Sequence, residues 1–227
     1  MKWLLTFFGS GIGKKLLMSL TGLFLILFLV VHLLGNLQLL KDDGGISFNV
    51  YARLMTTNPL IKLIAYGNYF FILLHVFVGI SLAIHNRQAK GQRYAVSNSM
   101  NTTLSSQNMA LLGTLILAFI LIHMGDFWLK MKLDQLPMIT YPGIEGEMKD
   151  LYFRVAEAFK NPILVGAYIL GMIVLAFHLH HGFQSAFQTL GINHKKYTPT
   201  IKGIGFVFSI VIPLGYAIIP IYHFFIK

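Results

Sequence analysis

Long runs of apolar residues alternate with short polar segments along the chain. Five of these runs carry almost no charge, and each is long enough as a helix to cross about 30 Å of hydrocarbon at about 1.5 Å rise per residue. They cover residues 16–40, 63–85, 109–129, 163–188 and 203–226. The pattern predicts an all-α integral membrane protein with five transmembrane helices in a single domain, residues 1–227.

Two dipeptides mark where spans begin. Asn58-Pro59 and Asn161-Pro162 each place a capping asparagine before a proline, the residue favoured at the first helical position. They predict the starts of the second and fourth spans. In the long connection before the fourth span, residues 151–160 have one apolar and one charged face, which indicates a short surface helix.

The composition agrees with a membrane protein and excludes several classes of site. Hydrophobic residues make up 56% of the chain and charged residues 11%, and the mean hydropathy is +0.67, which is unlike an ordinary soluble domain. Without any cysteine, the chain can hold no disulfide, no cysteine-ligated iron–sulfur cluster and no covalently attached haem. The net charge is +10, but the basic residues lie in short loops without interleaved aromatic residues, so we expect no nucleic-acid partner.

The charges are divided unequally between the two sides of the predicted membrane protein. The side with the N-terminus carries half of the 18 basic residues and no acidic residue, and the opposite side carries the other half with all 8 acidic residues. Because the basic residues are evenly shared, the positive-inside rule alone does not decide the orientation. The acid-free side favours a cytoplasmic N-terminus, with the C-terminus outside.

Histidines inside the spans are the candidate chemistry, because a polar ring in hydrocarbon is costly unless it is paired or bound. Counting residues from the span ends places His32 and His123 at one level, far from the N-terminal side. His75 and His178 fall at a second level nearer that side, about 10 Å away. We name these the distal pair and the proximal pair, and each of the four residues comes from a different span.

Two histidines that face each other from two helices are a usual way to hold a b-type haem, because neutral imidazoles fill both axial positions of the iron. The four histidines therefore predict two non-covalent haems b in an antiparallel bundle of the first four spans. Gly79 and Gly182 lie four residues after His75 and His178, on the same helix face, where a missing side chain leaves room for the porphyrin. His181 is a rival to His178, since it points only about 60° away.

Polar residues near the helix ends are candidate partners for haem propionates and for a quinone. Propionates need hydroxyl or basic groups near the membrane surface. The N-terminal side offers Ser19, Arg87, Lys90 and Arg93. Asn36, one turn after His32, and Arg53 in the next connection could bond a quinone carbonyl near the distal pair, and they would equally suit polar caps at a helix end.

At this point the residues resemble a known family. The segments SLTGLFLILFLVVHLLGN (19–36) and HLHHGFQSAFQTLG (178–191) look like the di-haem cytochrome b membrane subunit of succinate:quinone oxidoreductases and quinol:fumarate reductases. The likeness covers the first four spans, each of which supplies one iron ligand in that family. The resemblance assigns these roles to His32 with His123 for the distal haem and to His75 with His178 for the proximal haem. The family's ligand in the fourth helix is followed four residues later by glycine, which favours His178 over His181.

The resemblance implies an electron-transfer subunit that is not an enzyme on its own. Flavoprotein and iron–sulfur subunits would dock on the cytoplasmic face of a bacterial inner membrane, where the acid-free side suits them electrostatically. Electrons would pass from succinate through a flavin, iron–sulfur clusters and both haems to a quinone, menaquinone being expected for the two-haem type, with no flavin or iron–sulfur cluster in this chain. One departure is that Asp42 and Asp43 lie too near a helix end to match a quinone-site carboxylate.

Two other hypotheses stay open. The first keeps the haems but makes the chain the cytochrome b anchor of a hydrogenase or a formate dehydrogenase. The second is a transporter whose membrane histidines relay protons or bind a metal ion. A transporter would need intramembrane carboxylates or broken, paired helices, and Asp126 is the only carboxylate inside the predicted spans.

Overall fold

The computed structural model describes residues 2–89 and 108–227, and most of them are helical. A short helix α1 (Lys2–Gly9) comes first. The long helices are α2 (Gly11–Asn36, continued by a 3-10 turn Leu37–Leu40), α4 (Pro59–Ala89), α5 (Met109–His123), α7 (Pro162–Thr189) and α8 (Thr198–Ile226). After α5 the helix continues as a π-helical segment, Met124–Leu129, and a last α-helical turn, Lys130–Lys132. The shorter elements are α3 (Ile46–Thr57), α6 (Leu151–Ala158) and the antiparallel strands β1 (Met138–Ile139) and β2 (Met148–Lys149).

The five predicted spans are confirmed as helices: within the described residues, five are long and apolar enough to cross a membrane. Most of the helices extend a few residues beyond the predicted apolar runs. The second begins at Pro59 and the fourth at Pro162, as the dipeptides predict. The side-chain oxygens of Asn58 and Asn161 each accept a backbone N–H of the first turn at 2.9 Å, which satisfies groups that have no partner within the helix.

Helix α2 packs against α4 and α7, helix α5 packs against α4 and α7, and α8 packs along α7 and touches α2. Glycines make the approach of α8 close. A Cβ atom at Gly205 would lie 2.7 Å from the ring of Phe183 on α7, and one at Gly215 would lie 2.8 Å from the side chain of Leu33 on α2. Small residues at helix contacts are typical of membrane proteins, where close packing replaces the hydrophobic driving force.

The outer faces of the long helices are strongly apolar. Leu27, Phe77 and Leu121 are 67%, 74% and 67% exposed. Such exposure is unfavourable in water but costs nothing against lipid tails, whereas the backbone polar groups are satisfied inside each helix. The distribution is that of an integral membrane protein.

A small cap covers the helix ends that lie opposite the N-terminal side. It consists of α3, the two strands and α6, and the surface helix predicted over 151–160 is observed as α6. Asn49, which is 1% exposed, joins these parts: its amide donates to the hydroxyl of Tyr141 and to Asp150, each at 2.8 Å, and its oxygen accepts the backbone N–H of Tyr152 at 2.9 Å.

A buried apolar cluster fixes the cap to the spans. Its members come from the 3-10 turn, α3, α6 with the residue that follows it, α7 and α8: Leu39, Phe48, Val155, Phe159, Val165, Tyr168 and Ile219. Burying such side chains is worth roughly 1.5–3 kcal/mol each. The outer ends of α7 and α8 are therefore held in place by the cap as well as by each other.

Candidate haem-binding site

The structure brings together the two pairs of histidines that the sequence predicts. The ring centroids of His32 on α2 and His123 on α5 are 5.7 Å apart, with the planes at 89°. Those of His75 on α4 and His178 on α7 are 6.3 Å apart, with the planes at 67°. All four side chains are half-buried between the helices. Each pair joins two different helices.

These separations can be compared with what one metal ion between two imidazoles requires. With a metal–nitrogen bond of about 2.0 Å on each side, the two ring centroids lie about 6.3 Å apart. The proximal pair has this spacing, and the distal pair lies slightly closer together. Two nitrogen donors per level are the set that a haem needs, because the porphyrin supplies the other four ligands of the iron.

The hydrogen bonds of His75 and His123 involve Nδ1 and leave Nε2 of each ring for a ligand. The hydroxyl of Thr21 on α2 lies 3.0 Å from Nδ1 of His75, and the hydroxyl of Tyr168 on α7 lies 3.3 Å from Nδ1 of His123. Within the described part of the chain, Nδ1 of His178 is buried and has no hydrogen-bond partner. A buried nitrogen without a partner lowers the stability of the folded protein. The binding free energy of a group held by the His178 ring would offset this loss.

Flat aromatic surfaces lie beside the distal histidines. Phe28 stacks on His32 with 5.1 Å between centroids and 19° between planes, and Phe119 stacks on His123 at 5.9 Å and 22°. The ring of Tyr216 on α8 lies 5.9 Å from His32. Such a surrounding restricts the rotation of the imidazoles and presents an apolar wall, which suits a planar apolar macrocycle.

The glycines near the histidines leave space of unequal size. A Cβ atom at Gly22 would lie 3.4 Å from Cε1 of His75. One at Gly182 would meet nothing within 4 Å, in agreement with the room that the sequence predicts there. One at Gly79 would lie 3.2 Å from the terminal methyl group of Met18, so the space at this second predicted glycine is bounded by a flexible side chain.

A cleft of about 510 Å³ opens between α2, α4 and α7 on the N-terminal side, about two helical turns beyond His75 and His178. Its lining includes Ser19, which the sequence singled out, and polar residues that the sequence analysis did not identify: Lys15, Ser185, Gln188 and Thr189. Ser19 is 5% exposed and donates to the backbone carbonyl of Lys15 at 3.0 Å. Because the Ser19 proton goes to that carbonyl, the donors that the cleft offers to a carboxylate such as a propionate are the ammonium of Lys15, the amide of Gln188 and the hydroxyls of Ser185 and Thr189.

Of the other predicted propionate partners, Arg87 is not among the residues that line this cleft. Arg87 is exposed at the end of α4. Lys90 and Arg93 lie outside the residues that the structure describes. Their predicted role stays a prediction.

The two predicted quinone residues, Asn36 and Arg53, form hydrogen bonds with different partners. The side-chain amide of Asn36 donates to the carbonyl of His32 at 2.7 Å, one turn earlier in the same helix. Arg53 lies on α3 in the cap and donates to the carbonyl of Glu145 at 2.7 Å. Asn36 thus bonds a carbonyl of its own helix near the helix end, as a polar cap does, whereas Arg53 bonds a loop carbonyl of the cap. The quinone role of both residues stays a prediction.

The histidines that follow His178 face different neighbours. His180 packs its ring against Phe206 of α8, with 6.0 Å between centroids. His178, and not His181, makes the ring contact with His75. The choice of His178 over its rival therefore agrees with the side-chain positions.

Sequence reasoning missed an ion cluster at the distal level. Asp126 lies in the π-helical segment three residues after His123, and its carboxylate forms ion pairs with Lys130, at 3.0 Å, and with Arg154. Arg154 also donates to the backbone carbonyl of Asp126 at 3.3 Å. The signal in the sequence was Asp126 itself, the only acidic residue in the predicted spans. Its partner could not be foreseen, because Arg154 comes from the cap.

The described residues contain no group of three or more histidine, cysteine or acidic side chains that could hold a metal ion by themselves. The site is thus built from pairs of imidazoles. Comparisons of the chain with protein-family models, with curated proteins and with solved structures found no match.

Proposed function

We propose that this chain is the membrane-anchor cytochrome b subunit of a succinate dehydrogenase or fumarate reductase complex. In this role it carries electrons between an iron–sulfur subunit and a membrane quinone through two haems b. The observation that supports it most is the pair of imidazole contacts at two levels, His32 with His123 and His75 with His178, each across two helices. The assignment to this complex, among those with haems, rests on the resemblance of residues 19–36 and 178–191.

In this proposal helices α2, α4, α5 and α7 form the haem-binding bundle. When bound, each haem supplies a one-electron carrier. The protein's own groups would hold the carriers in place: the four imidazoles as iron ligands, Phe28 and Phe119 as apolar walls, and Lys15 as a partner for the propionates in the cleft that Ser19 also lines. Two haems at fixed positions would allow electrons to pass along the bundle without a conformational change.

The same proposal places the flavoprotein and iron–sulfur subunits on the N-terminal side, in the cytoplasm of a bacterium. Of the described residues there, α1, the start of α2, the loop before α8 and the start of α8 carry only basic charges: Lys2, Lys14, Lys15, Lys195, Lys196 and Lys202. Such a face attracts an acidic partner. The quinone, menaquinone for the two-haem type, would bind near the distal pair, where Asn36 and Arg53 keep further N–H donors beyond those used for backbone carbonyls.

Haem content tests the proposal directly. The purified wild type should give a pyridine haemochrome near two haems per chain and a sharp b-type α band in reduced-minus-oxidised spectra. His32→Ala, His75→Ala, His123→Ala and His178→Ala should each lose one haem, because an axial ligand is removed, whereas His181→Ala should keep both. A colourless wild type, or equal loss from His178→Ala and His181→Ala, would contradict the assignment.

Co-purification separates this complex from the other cytochrome b anchors. A flavin-bearing partner that oxidises succinate supports the proposal. A nickel or molybdenum protein bound to the chain would instead favour the anchor of a hydrogenase or a formate dehydrogenase. If metal-ion or proton transport were found in vesicles of a haem-free protein, the transporter hypothesis would replace both.

A further inference from the structure

Thr21 lies on α2 inside the first span and contacts the proximal histidine of the neighbouring helix. It is 2% exposed, and its hydroxyl oxygen lies 3.0 Å from Nδ1 of His75. The same hydroxyl donates to the carbonyl of Leu17 at 2.8 Å, with a second carbonyl, that of Met18, at 3.1 Å. The hydroxyl thus stands between two backbone acceptors and one imidazole.

The chemistry of a hydroxyl group decides the direction of the contact with His75. A threonine hydroxyl has one proton and two acceptor lone pairs. A hydroxyl whose proton goes to a carbonyl of its own helix faces the neighbouring ring with a lone pair, which accepts. In that arrangement the ring of His75 carries its proton on Nδ1 and leaves Nε2 unprotonated.

The second level repeats this arrangement with the helices exchanged. Thr21 belongs to the helix that carries the distal residue His32, and it contacts a proximal histidine. Tyr168 belongs to the helix that carries the proximal residue His178, and it contacts the distal histidine His123. At each level, one imidazole therefore contacts a hydroxyl group. The helix that supplies this hydroxyl carries a histidine of the other level.

We propose that Thr21 is a positioning residue for the proximal haem: its hydroxyl accepts the Nδ1–H of His75 and so presents Nε2 of that ring to the iron. This inference rests on the proposed function, since it concerns the same haem. A hydrogen bond from Nδ1–H makes a ligating imidazole a stronger electron donor and fixes its orientation. The oxidised iron is thereby stabilised relative to the reduced iron.

Redox titration of three variants tests the inference. Thr21→Val replaces the hydroxyl by a methyl group of similar size, and Thr21→Ser keeps the hydroxyl. Thr114→Val is the matched control, because Thr114 makes the same bond to a carbonyl four residues earlier, that of Ala110, on an exposed helix face. Midpoint potentials and low-spin ferric EPR signals of both haems are measured in each purified protein.

In Thr21→Val we expect the midpoint potential of one haem to rise and its EPR signal to shift, with the other haem unchanged. Because partners of this kind typically contribute about 10-fold or more to metal affinity, that haem should also be lost about 10-fold more readily. Thr21→Ser and Thr114→Val should behave as the wild type. Wild-type potentials and EPR signals in Thr21→Val would overturn the role of Thr21 while leaving the haem proposal intact, whereas absence of haem from the wild type would overturn both.

Nitrogen-15 NMR of the imidazoles gives a readout that does not need the haem. In haem-free wild-type protein, His75 should carry its proton on Nδ1, and this preference should weaken in Thr21→Val. The signal of His75 is assigned by its absence from His75→Gln. A ring protonated on Nε2 in the wild type would contradict the inference even if the potentials differed.

Discussion

Asp126 and Arg154 form a charged pair at the end of a membrane span that lies against the cap. Their side chains are each 16% exposed, and Lys130 and Glu157 extend the cluster, with Arg154 lying 3.5 Å from Glu157. A charge removed from water is tolerated only when it is paired and hydrogen-bonded. The pair also links α6 of the cap to the π-helical segment that follows His123, so it should stabilise the distal level.

Replacement of Arg154 tests this role. Arg154→Gln leaves the Asp126 carboxylate with Lys130 alone, and we expect a loss of roughly 1–3 kcal/mol of stability. Thermal unfolding of the detergent-solubilised protein measures it, with Lys160→Gln as the control, since Lys160 is exposed in the same part of the cap. The double variant Arg154→Gln with Asp126→Asn should recover part of the loss. Equal stability of Arg154→Gln and the wild type would show that the pair contributes nothing.

The histidine pairs could be predicted from sequence because their depth follows from residue counts along helices. The hydroxyl partners could not, since a threonine or tyrosine inside an apolar run looks like an ordinary residue bonded to its own helix. The distance between the two levels also differs from the distance predicted from the sequence. Thr21 stands beside His75 and eleven residues before His32, so the levels lie about 16 Å apart along α2, not about 10 Å.

At the level of the elements, one close contact between α5 and α7 positions an aromatic wall. A Cβ atom at Gly171 of α7 would lie 2.6 Å from the ring of Phe119, which in turn stacks on His123. Glycine is therefore required for this approach. Any larger residue must push Phe119 or separate the two helices.

Gly171→Ala should disturb the distal level selectively. We expect the ring of Phe119 to move, the EPR signal of the distal haem to change, and stability to fall by about 1–3 kcal/mol through overpacking. Gly166→Ala on the same helix is the control, because a Cβ atom there meets nothing within 4 Å. Haem spectra and unfolding temperatures of both variants are the measurements. If the two variants had the same haem spectra and unfolding temperatures, the contact between Gly171 and Phe119 would contribute nothing to the distal level.

The long helices were predictable for a different reason from the short elements. Hydropathy identifies a lipid-crossing helix from composition alone, and asparagine–proline pairs locate its start. Helix α3 was not predicted, because polar residues are mixed among its apolar ones. Its stability comes from contacts with the rest of the cap and with the spans, through Phe48 and Asn49. The π-helical segment was not predicted either, since it depends on the register of backbone hydrogen bonds, which leaves no mark in residue type.

For the whole molecule, the unequal distribution of acidic residues gives the two ends different characters. The cap carries acidic groups that are paired within it or with the spans, such as Asp150 with Asn49 and Asp134 with Lys149 at 2.5 Å. The opposite end presents lysines without acidic neighbours in the sequence. An end of this kind is suited to docking a partner, whereas the capped end is already closed by its own chain.

The orientation that docking requires can be tested cleanly because the chain has no cysteine. Lys195→Cys adds a single thiol to the loop before α8, and Glu147→Cys adds one to the cap; both residues are exposed. If the N-terminal side faces the cytoplasm, a membrane-impermeant maleimide should label Glu147→Cys in intact spheroplasts and Lys195→Cys only in inverted vesicles. The paired thiols control for each other, since the chemistry and the protein are the same and only the side differs. The reverse labelling pattern would place the basic face outside, where cytoplasmic flavoprotein and iron–sulfur subunits could not reach it.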